Sequence, residues 1–287
     1  MPSDYSLSVV IPAYNEEESV GEVVSRLRQL KPAAEIIVVD DGSSDDTARV
    51  ALAAGAKVLR QPYNKGNGAA VKAGVRAAHG DVILMLDADG QHSADDIDSL
   101  LEKIPQYDLV VGARVKGSET RLVRDIGNAI FNAFSSYMVD RPIPDLTSGF
   151  RAVRRARLME FVNLLPNGYS HTSTATVAFI KAGYSVSFVP FRSRKQRGKS
   201  QVRWFRDGWR FLLIITRISM LFTPMKVFGP VSLLFFVIGA LYAGFNIIFN
   251  RLHIPNGAVL LISVAVIVFL IGLVSEQIAT LRLERRL

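Results

Sequence analysis

Short apolar runs alternate with segments of helical periodicity through the first third of the chain. Leu7 to Ile11 precedes Glu17 to Leu30, and Glu35 to Val39 precedes Asp46 to Ala54. Lys57 to Leu59 then precedes Asn67 to Ala78, and Val82 to Leu86 precedes Asp95 to Ile104. Such alternation predicts an α/β fold, with a mostly parallel sheet covered by helices. In that architecture ligands bind at the carboxyl ends of the strands.

The last quarter changes character. Val227 to Asn250 gives 24 residues without a charge and Ile254 to Ser275 gives 22 more, each long enough for a hydrocarbon core that needs ~20 helical residues. Arg251, Leu252 and His253, followed by Pro255, Asn256 and Gly257, leave room only for a tight hairpin. A buried core helix pair is the alternative, but soluble helices rarely run this long without charge. Lys226 precedes the first span and Arg282, Arg285 and Arg286 follow the second, while the loop carries only Arg251. That asymmetry predicts two spans with both termini cytoplasmic.

Between these parts, Trp204 to Phe222 places Arg206, Arg210 and Arg217, with Arg203 before it, within about 60° of one another at ~100° per residue. Trp204, Phe205, Trp209, Leu212, Leu213, Ile215 and Leu221 fill much of the remainder, the pattern of a helix lying in the headgroup layer. Arg124 to Val139 offers a second such helix, with Ile126, Ile130, Phe131, Phe134 and Met138 opposite Asn128, Asn132 and Ser135. Core packing explains that one nearly as well. The expected division is therefore a cytoplasmic domain over 1–202, an interfacial helix over 203–225 and a hairpin with a basic tail over 226–287.

Composition narrows the picture. No cysteine is present, which excludes disulfides and thiolate metal sites. Leu7 to Ile11 is too short for a secretory signal and is stopped by Pro12, so the soluble part is expected to stay inside. A formal charge of +8 raises nucleic acid as a partner, but the basic residues gather beside the spans, where an anionic lipid surface explains them better. A lipid bilayer and no nucleic acid is the expectation.

The polar clusters fall where the strands should end. Pro12-Ala13-Tyr14-Asn15-Glu16 follows the first, Asp40-Asp41-Gly42-Ser43 the second and Asp87-Ala88-Asp89 the fourth, with Gln91 close behind. Two carboxylates one residue apart at a sheet rim supply hard oxygens to a divalent cation holding a diphosphate. Turn formation and helix capping are the alternatives for Asp41-Gly42-Ser43. Asn64-Lys65-Gly66-Asn67-Gly68-Ala69-Ala70 opens a helix with small residues, which lets backbone N–H groups approach an anion. Valine at position 71 removes the third glycine of a dinucleotide fingerprint and disfavours a dehydrogenase.

Taken together, VVIPAYNEEESV (9–20), VVDDGSSDDT (38–47), NKGNGAAVKAG (64–74), LDADGQH (86–92) and DLTSGFRA (145–152) resemble the family 2 glycosyltransferases of GT-A fold. The resemblance covers roughly residues 7 to 200 and is to the polyprenyl-phosphate type, such as dolichyl-phosphate mannose synthase. It implies a Rossmann-like, mostly parallel sheet with helices on both faces. It also implies a nucleotide-sugar donor, GDP-mannose or a UDP-hexose, with Pro12, Tyr14, Glu16, Val39 and Asp41 in the nucleoside pocket and Asp40 sharing that role. Asp87 and Ala88 then line the diphosphate site, Lys65 lies beside it, and Asp87, Asp89 and Gln91 ligate Mg²⁺ or Mn²⁺.

Arg114 matches the family's phosphate-contacting arginine and Arg124 is a candidate for a second, each with a surface salt bridge as the alternative. Lys195, Arg197 and Lys199 resemble the basic loop that closes over phosphates, although Gln201 stands where that loop usually has lysine. A solvated charge run is the alternative there.

The resemblance leaves the acceptor to argument. A sugar hydroxyl must lose a proton as it attacks, whereas a lipid phosphate already carries its nucleophilic oxygen. Gly168 to Val177 has no carboxylate to act as base, and Gln201-Val202-Arg203-Trp204 is one residue short of the processive Gln-x-x-Arg-Trp signature. This favours dolichyl or undecaprenyl phosphate. Asp145 is the remaining acid to place near the sugar, or else a brace of its loop. The rivals are transfer to another lipid or growing glycan, and a non-catalytic subunit that binds nucleotide sugar. Gly229, Gly239, Gly244 and Gly272 permit close helix contacts, and with them a homo-oligomer through the spans.

Overall fold

A computed structural model describes residues 5–88, 94–115, 132–133, 136–168, 170–192, 220, 223–249 and 255–284. The chain divides into two compact units, 1–203 and 204–287.

The first unit is built on β1 (Leu7–Ala13), β2 (Glu35–Asp40), β3 (Lys57–Arg60), β4 (Val82–Met85), β5 (Leu109–Arg114), β6 (Arg151–Arg154) and β7 (Val186–Phe191). They form one sheet in the order β3-β2-β1-β4-β6-β5-β7. Every pairing is parallel except those of β6, which runs antiparallel to β4 and β5. Around it lie α1 (Val20–Leu30), α2 (Thr47–Ala53), α3 (Asn67–Ala77), α4 (Ala94–Leu101), α5 (Arg155–Phe161) and α6 (His171–Lys181).

Alternate strand residues point to opposite faces. Val9, Ile11, Ile36, Val38, Val82 and Leu84 pack in one core with Val20, Val24 and Leu27 of α1 and Ile97 and Leu100 of α4. The other face meets α3 so closely that a Cβ on Gly74 would sit 2.4 Å from Val10 Cγ1 and 3.1 Å from Val39 Cγ2. Both faces are covered, and so β1, β2 and β4 read as largely apolar runs, broken in β1 only by Ser8.

The amino edge of the sheet is held by three serine–carboxylate pairs. Ser6 Oγ donates to Asp81 at 2.7 Å, Ser8 Oγ to Glu35 at 2.7 Å and Ser185 Oγ to Asp108 at 2.6 Å. Glu35 also accepts from the backbone N of His79 at 2.9 Å. Burial acts to raise the Glu35 carboxyl, but Ser8 and His79 outweigh it and bring it down to about 2.

In the second unit, α7 (Met225–Phe249) packs along α8 (Asn256–Glu284). A Cβ on Gly239 would meet Ile262 Cγ1 at 2.9 Å and one on Gly272 would meet Phe228 Cβ at 2.7 Å, so these glycines allow the close approach. Ser232 Oγ donates to Ala265 O at 2.8 Å, and Met225 N donates to Glu276 Oε2 at 3.0 Å. That carboxylate takes up one of the amide donors that the start of α7 cannot satisfy within the helix. The helices are long and apolar enough to cross a membrane, and α8 continues nine residues beyond the charge-free run.

Residues 204–219 and 221–222 lie outside the described residues, and the proposed interfacial helix with them. Of 124–139, the described part shows core packing: Met138 is 1% exposed. Asn132, expected on the polar face, donates to Pro144 O at 2.7 Å and accepts from Leu146 N at 3.1 Å.

Because the Glu35 carboxyl is held below its unfolded value, its contribution is complete above pH ~4.5 and is lost as pH falls toward ~2. Glu35→Gln should lower the thermal midpoint of the detergent-solubilised chain at pH 6 and bring the variant level with the parent near pH 2. Equal midpoints at pH 6 would refute the staple.

Candidate active site

The carboxyl ends of β1 and β2 are tied to each other. Asn15 takes a left-handed backbone, φ 54°, which asparagine tolerates better than most residues. Its N donates to Ser43 Oγ at 2.9 Å and its Oδ1 accepts from Ser44 N at 2.9 Å. Glu16 N donates to Thr47 Oγ1 at 2.8 Å and Glu17 N to Asp45 Oδ2 at 3.2 Å. These bonds join the Pro12–Glu16 and Asp40–Thr47 loops, and sequence reasoning missed Asn15, Ser43 and Thr47 as the ties. Tyr14, between the loops, is 47% exposed.

The two acids after β2 differ. Asp40 is fully enclosed: Oδ1 accepts from Ser43 N at 2.8 Å and Arg60 Nε stands 3.2 Å from Oδ2. Here its side chain braces the turn. Val39 is equally enclosed, its side chain beneath α3. Asp41 accepts from Lys65 N at 2.9 Å and Gly66 N at 2.8 Å, holding the loop that leads into α3. Lys65 is exposed, its Nζ 5.4 Å from the centre of the Tyr63 ring.

The start of α3 is a correction to expectation. A Cβ on Gly68 would lie 2.2 Å from Pro166 O, one on Gly66 would lie 2.6 Å from Asn167 O, and Ala69 N donates to Asn167 O at 3.0 Å. The small residues admit the backbone of 166–168 rather than an anion. Lys72 Nζ fixes that loop through Leu165 O at 2.9 Å and Asn167 Oδ1 at 2.6 Å.

Beyond β4, Asp87 faces Gly149, where a Cβ would stand 2.9 Å from Asp87 Oδ2. A larger residue there would push the carboxylate from this position. Burial pushes its pKa up, Arg114 and Arg151 oppose this, and Glu16 adds to it. Glu16, Asp87 and Arg114 thus share one electrostatic neighbourhood, although they leave three different strands. Ala88 is 3% exposed.

Arg114, the last residue of β5, is gripped by Asp145. Nε donates to Oδ2 at 2.7 Å, Nη2 to Oδ1 at 3.0 Å, and Nη2 also to Thr147 Oγ1 at 2.6 Å. Burial raises the Asp145 carboxyl, but Arg114 wins and holds it below the usual carboxylate range. Asp145 is therefore the partner of Arg114, and it also accepts from Thr147 N at 3.1 Å within its own loop. His171, at the first turn of α6, was not singled out. Burial drives its pKa down to about 4 against its contact of 3.0 Å between Nδ1 and Gly168 O, so it is neutral near pH 7.

Asp89, Gln91, Arg124, Lys195, Arg197 and Lys199 lie outside the described residues. Among the described residues, no group of three His, Asp or Glu side chains is set to hold a metal ion.

Residues 8–161, more than half of the chain, match the model of glycosyl transferase family 2. The chain belongs to that family. This family 2 glycosyltransferase also matches the GtrB C-terminal hairpin over 223–281. It is 29% identical to glycosyltransferase AglJ of Haloferax volcanii, over 99% of the chain and 97% of that protein. Its identity to the dolichyl-phosphate hexose transferase of the same organism is 32%, over 70% of the chain and 89% of that protein. Glucosyl-3-phosphoglycerate synthase from Mycobacterium tuberculosis, solved with Mn²⁺ and UDP-glucose, superposes with a TM-score of 0.60 at 23% identity, covering 75% of this chain and 78% of that one. The GT-A fold is shared.

Three substitutions test this geometry. Gly68→Ala should cost about 1–3 kcal/mol by overpacking against a backbone oxygen, whereas Gly168→Ala, with nothing within 4 Å of its Cβ, should change thermal stability little. Asp145→Asn strands the Arg114 charge and should lower the thermal midpoint by about 5 °C or more. A silent Gly68→Ala or Asp145→Asn in a melting experiment would contradict the packing and the ion pair respectively.

Proposed function

We propose that this transferase moves one sugar from a UDP- or GDP-sugar to a polyprenyl phosphate at the cytoplasmic leaflet, with inversion at the anomeric carbon. The observation that carries the proposal is the half-buried Asp87 carboxylate against Gly149 at the carboxyl edge of the sheet, within the electrostatic reach of Arg114 and Glu16, in a chain that ends in a long apolar hairpin. The name of the dolichyl-phosphate hexose transferase relative supports the acceptor class.

Mg²⁺ or Mn²⁺ fits the donor chemistry of this edge. Asp87 offers hard carboxylate oxygens at a strand end, in a setting where burial disfavours its charge and Gly149 keeps the space open. Asp87, with Asp89 and Gln91 after it, would hold the ion. When bound, the ion would offset the charge that grows on the departing nucleoside diphosphate. Solved complexes of the structural neighbour contain Mn²⁺ or Mg²⁺ with UDP.

Tyr14, Glu16 and Asp41, with Pro12, take the nucleoside, and Lys65 stands by the phosphates. Arg114, oriented by Asp145 and Thr147, presents positive charge to the phosphate groups, and Arg124 adds to it. Lys195, Arg197 and Lys199 close over them. The lipid phosphate attacks in line with its own oxygen, so the segment from Gly168 to Val177 needs no base. His171 there is neutral and tied to Gly168.

The basic residues over 203–225, next to an apolar hairpin, suit an anionic lipid surface. The prenyl tail then stays in lipid, where extraction would cost ~0.8 kcal/mol per CH₂ exposed.

A screen of nucleotide sugars against a short-chain polyprenyl phosphate and against diacylglycerol, read by product mass, tests the proposal. The expected outcome is a β-linked polyprenyl phosphosugar from an α-linked donor, abolished by EDTA and restored by Mg²⁺ or Mn²⁺. Asp89→Ala should remove that turnover while the fold persists. Transfer to diacylglycerol alone, or nucleotide binding without transfer, would overturn it.

A further inference from the structure

Arg151 opens β6 with 1% of its surface exposed, and nothing in the proposed transfer chemistry accounts for it. Across the sheet it pairs with Met85 of β4 and Val111 of β5. It therefore stands beside the strand that leads to Asp87 and the strand that ends in Arg114. Nη1 donates to Thr172 O at 3.0 Å and Thr176 Oγ1 at 3.4 Å, both in α6. Nη2 donates to Ser148 O, in the loop before β6.

Among the described residues no carboxylate makes an ion pair with Arg151, and its Nε has no hydrogen-bond partner. Burial lowers its pKa to about 10, with Asp145 and Asp87 opposing from longer range. A buried cation without a direct partner is expensive to keep, and an apolar residue of similar volume would serve stability as well or better. What the guanidinium supplies is geometry: a rigid planar fork reaches backbone carbonyls on two separate elements, which a lysine's single ammonium does poorly.

Those two elements border the site. Ser148 lies between Thr147, which accepts from Arg114 Nη2, and Gly149, which faces Asp87. Ser173 Oγ reaches from α6 to Leu146 O at 3.5 Å, a second and weaker tie in the same place. We infer that Arg151 is a positioning residue for the transfer reaction: it ties the 145–149 loop to the first turns of α6, and so keeps Asp145 on Arg114 and Gly149 against Asp87.

This inference rests on the proposed transfer for its kinetic readout, and a second readout is independent of it. The full-length chain in detergent would be compared with Arg151→Gln and Arg151→Lys for UDP and GDP affinity, for kcat and KM with polyprenyl phosphate, and for amide hydrogen exchange by segment. A displaced Arg114 should lower kcat of Arg151→Gln about 10²-fold. UDP and GDP affinity should fall less than kcat, by no more than about tenfold, because the nucleoside loops are tied to each other and not to Arg151, while Arg114 and Asp87 meet only the diphosphate. Arg151→Lys, keeping the charge and one anchor, should recover part of the loss.

Exchange should quicken in 145–149 and 170–176 while 35–47 stays protected. Unchanged kcat with unchanged exchange would overturn the inference, as would parallel loss of nucleotide affinity, thermal midpoint and protection throughout the domain. If the parent transfers to no polyprenyl phosphate, the functional proposal fails, and the exchange pattern alone decides for or against Arg151. Should the glutamine variant not fold, the lysine variant carries the same comparison.

Discussion

The fork between Arg114 and Asp145 depends on a single reversal of direction in the sheet. Parallel strands bring only their carboxyl ends to the ligand edge, so β1, β2, β4 and β5 deliver the residues at and just beyond their last positions. β6 runs the other way between β4 and β5, and so delivers the residues that lead into it. Asp145, Thr147, Ser148 and Gly149 reach the edge by that route. Without the fork a cation at the end of β5 and an acid 31 residues later would each face a low-dielectric setting alone. With it, the loop before β6 is anchored at its start by Arg114 and near its end by Arg151.

The parallel half of this design was legible because its signals are redundant. β1, β2 and β4 carry largely apolar runs, and each is followed by a polar cluster, so periodicity and chemistry agree. β6 was not legible, since Arg-Ala-Val-Arg reads as a surface segment until Arg151 is found inside. The acids were ambiguous for a different reason. Asp40 and Asp41 are identical by composition and both buried, and only the fold decides that one braces its own turn while the other holds the Lys65–Gly66 backbone.

A third ambiguity came from glycine. Small residues at a helix start license close approach without naming what approaches, and here the answer is the 166–168 backbone, almost 100 residues away. His171 escaped notice because a lone histidine in a Thr- and Ser-rich stretch has no local signature. Its burial and its contact with Gly168 emerge only from the packing of α6. The start of α3 is taken by protein backbone and not open to an anion.

The serine–carboxylate pairs sit on the rim opposite to all of this chemistry. β1 alone, seven residues long, puts about 20 Å between the two rims. Groups so far apart contribute to stability almost independently. A lineage of such enzymes can therefore retool its choice of sugar or base at one rim by successive replacements while the other continues to secure the scaffold, so that new specificities need not arise in a weakened fold.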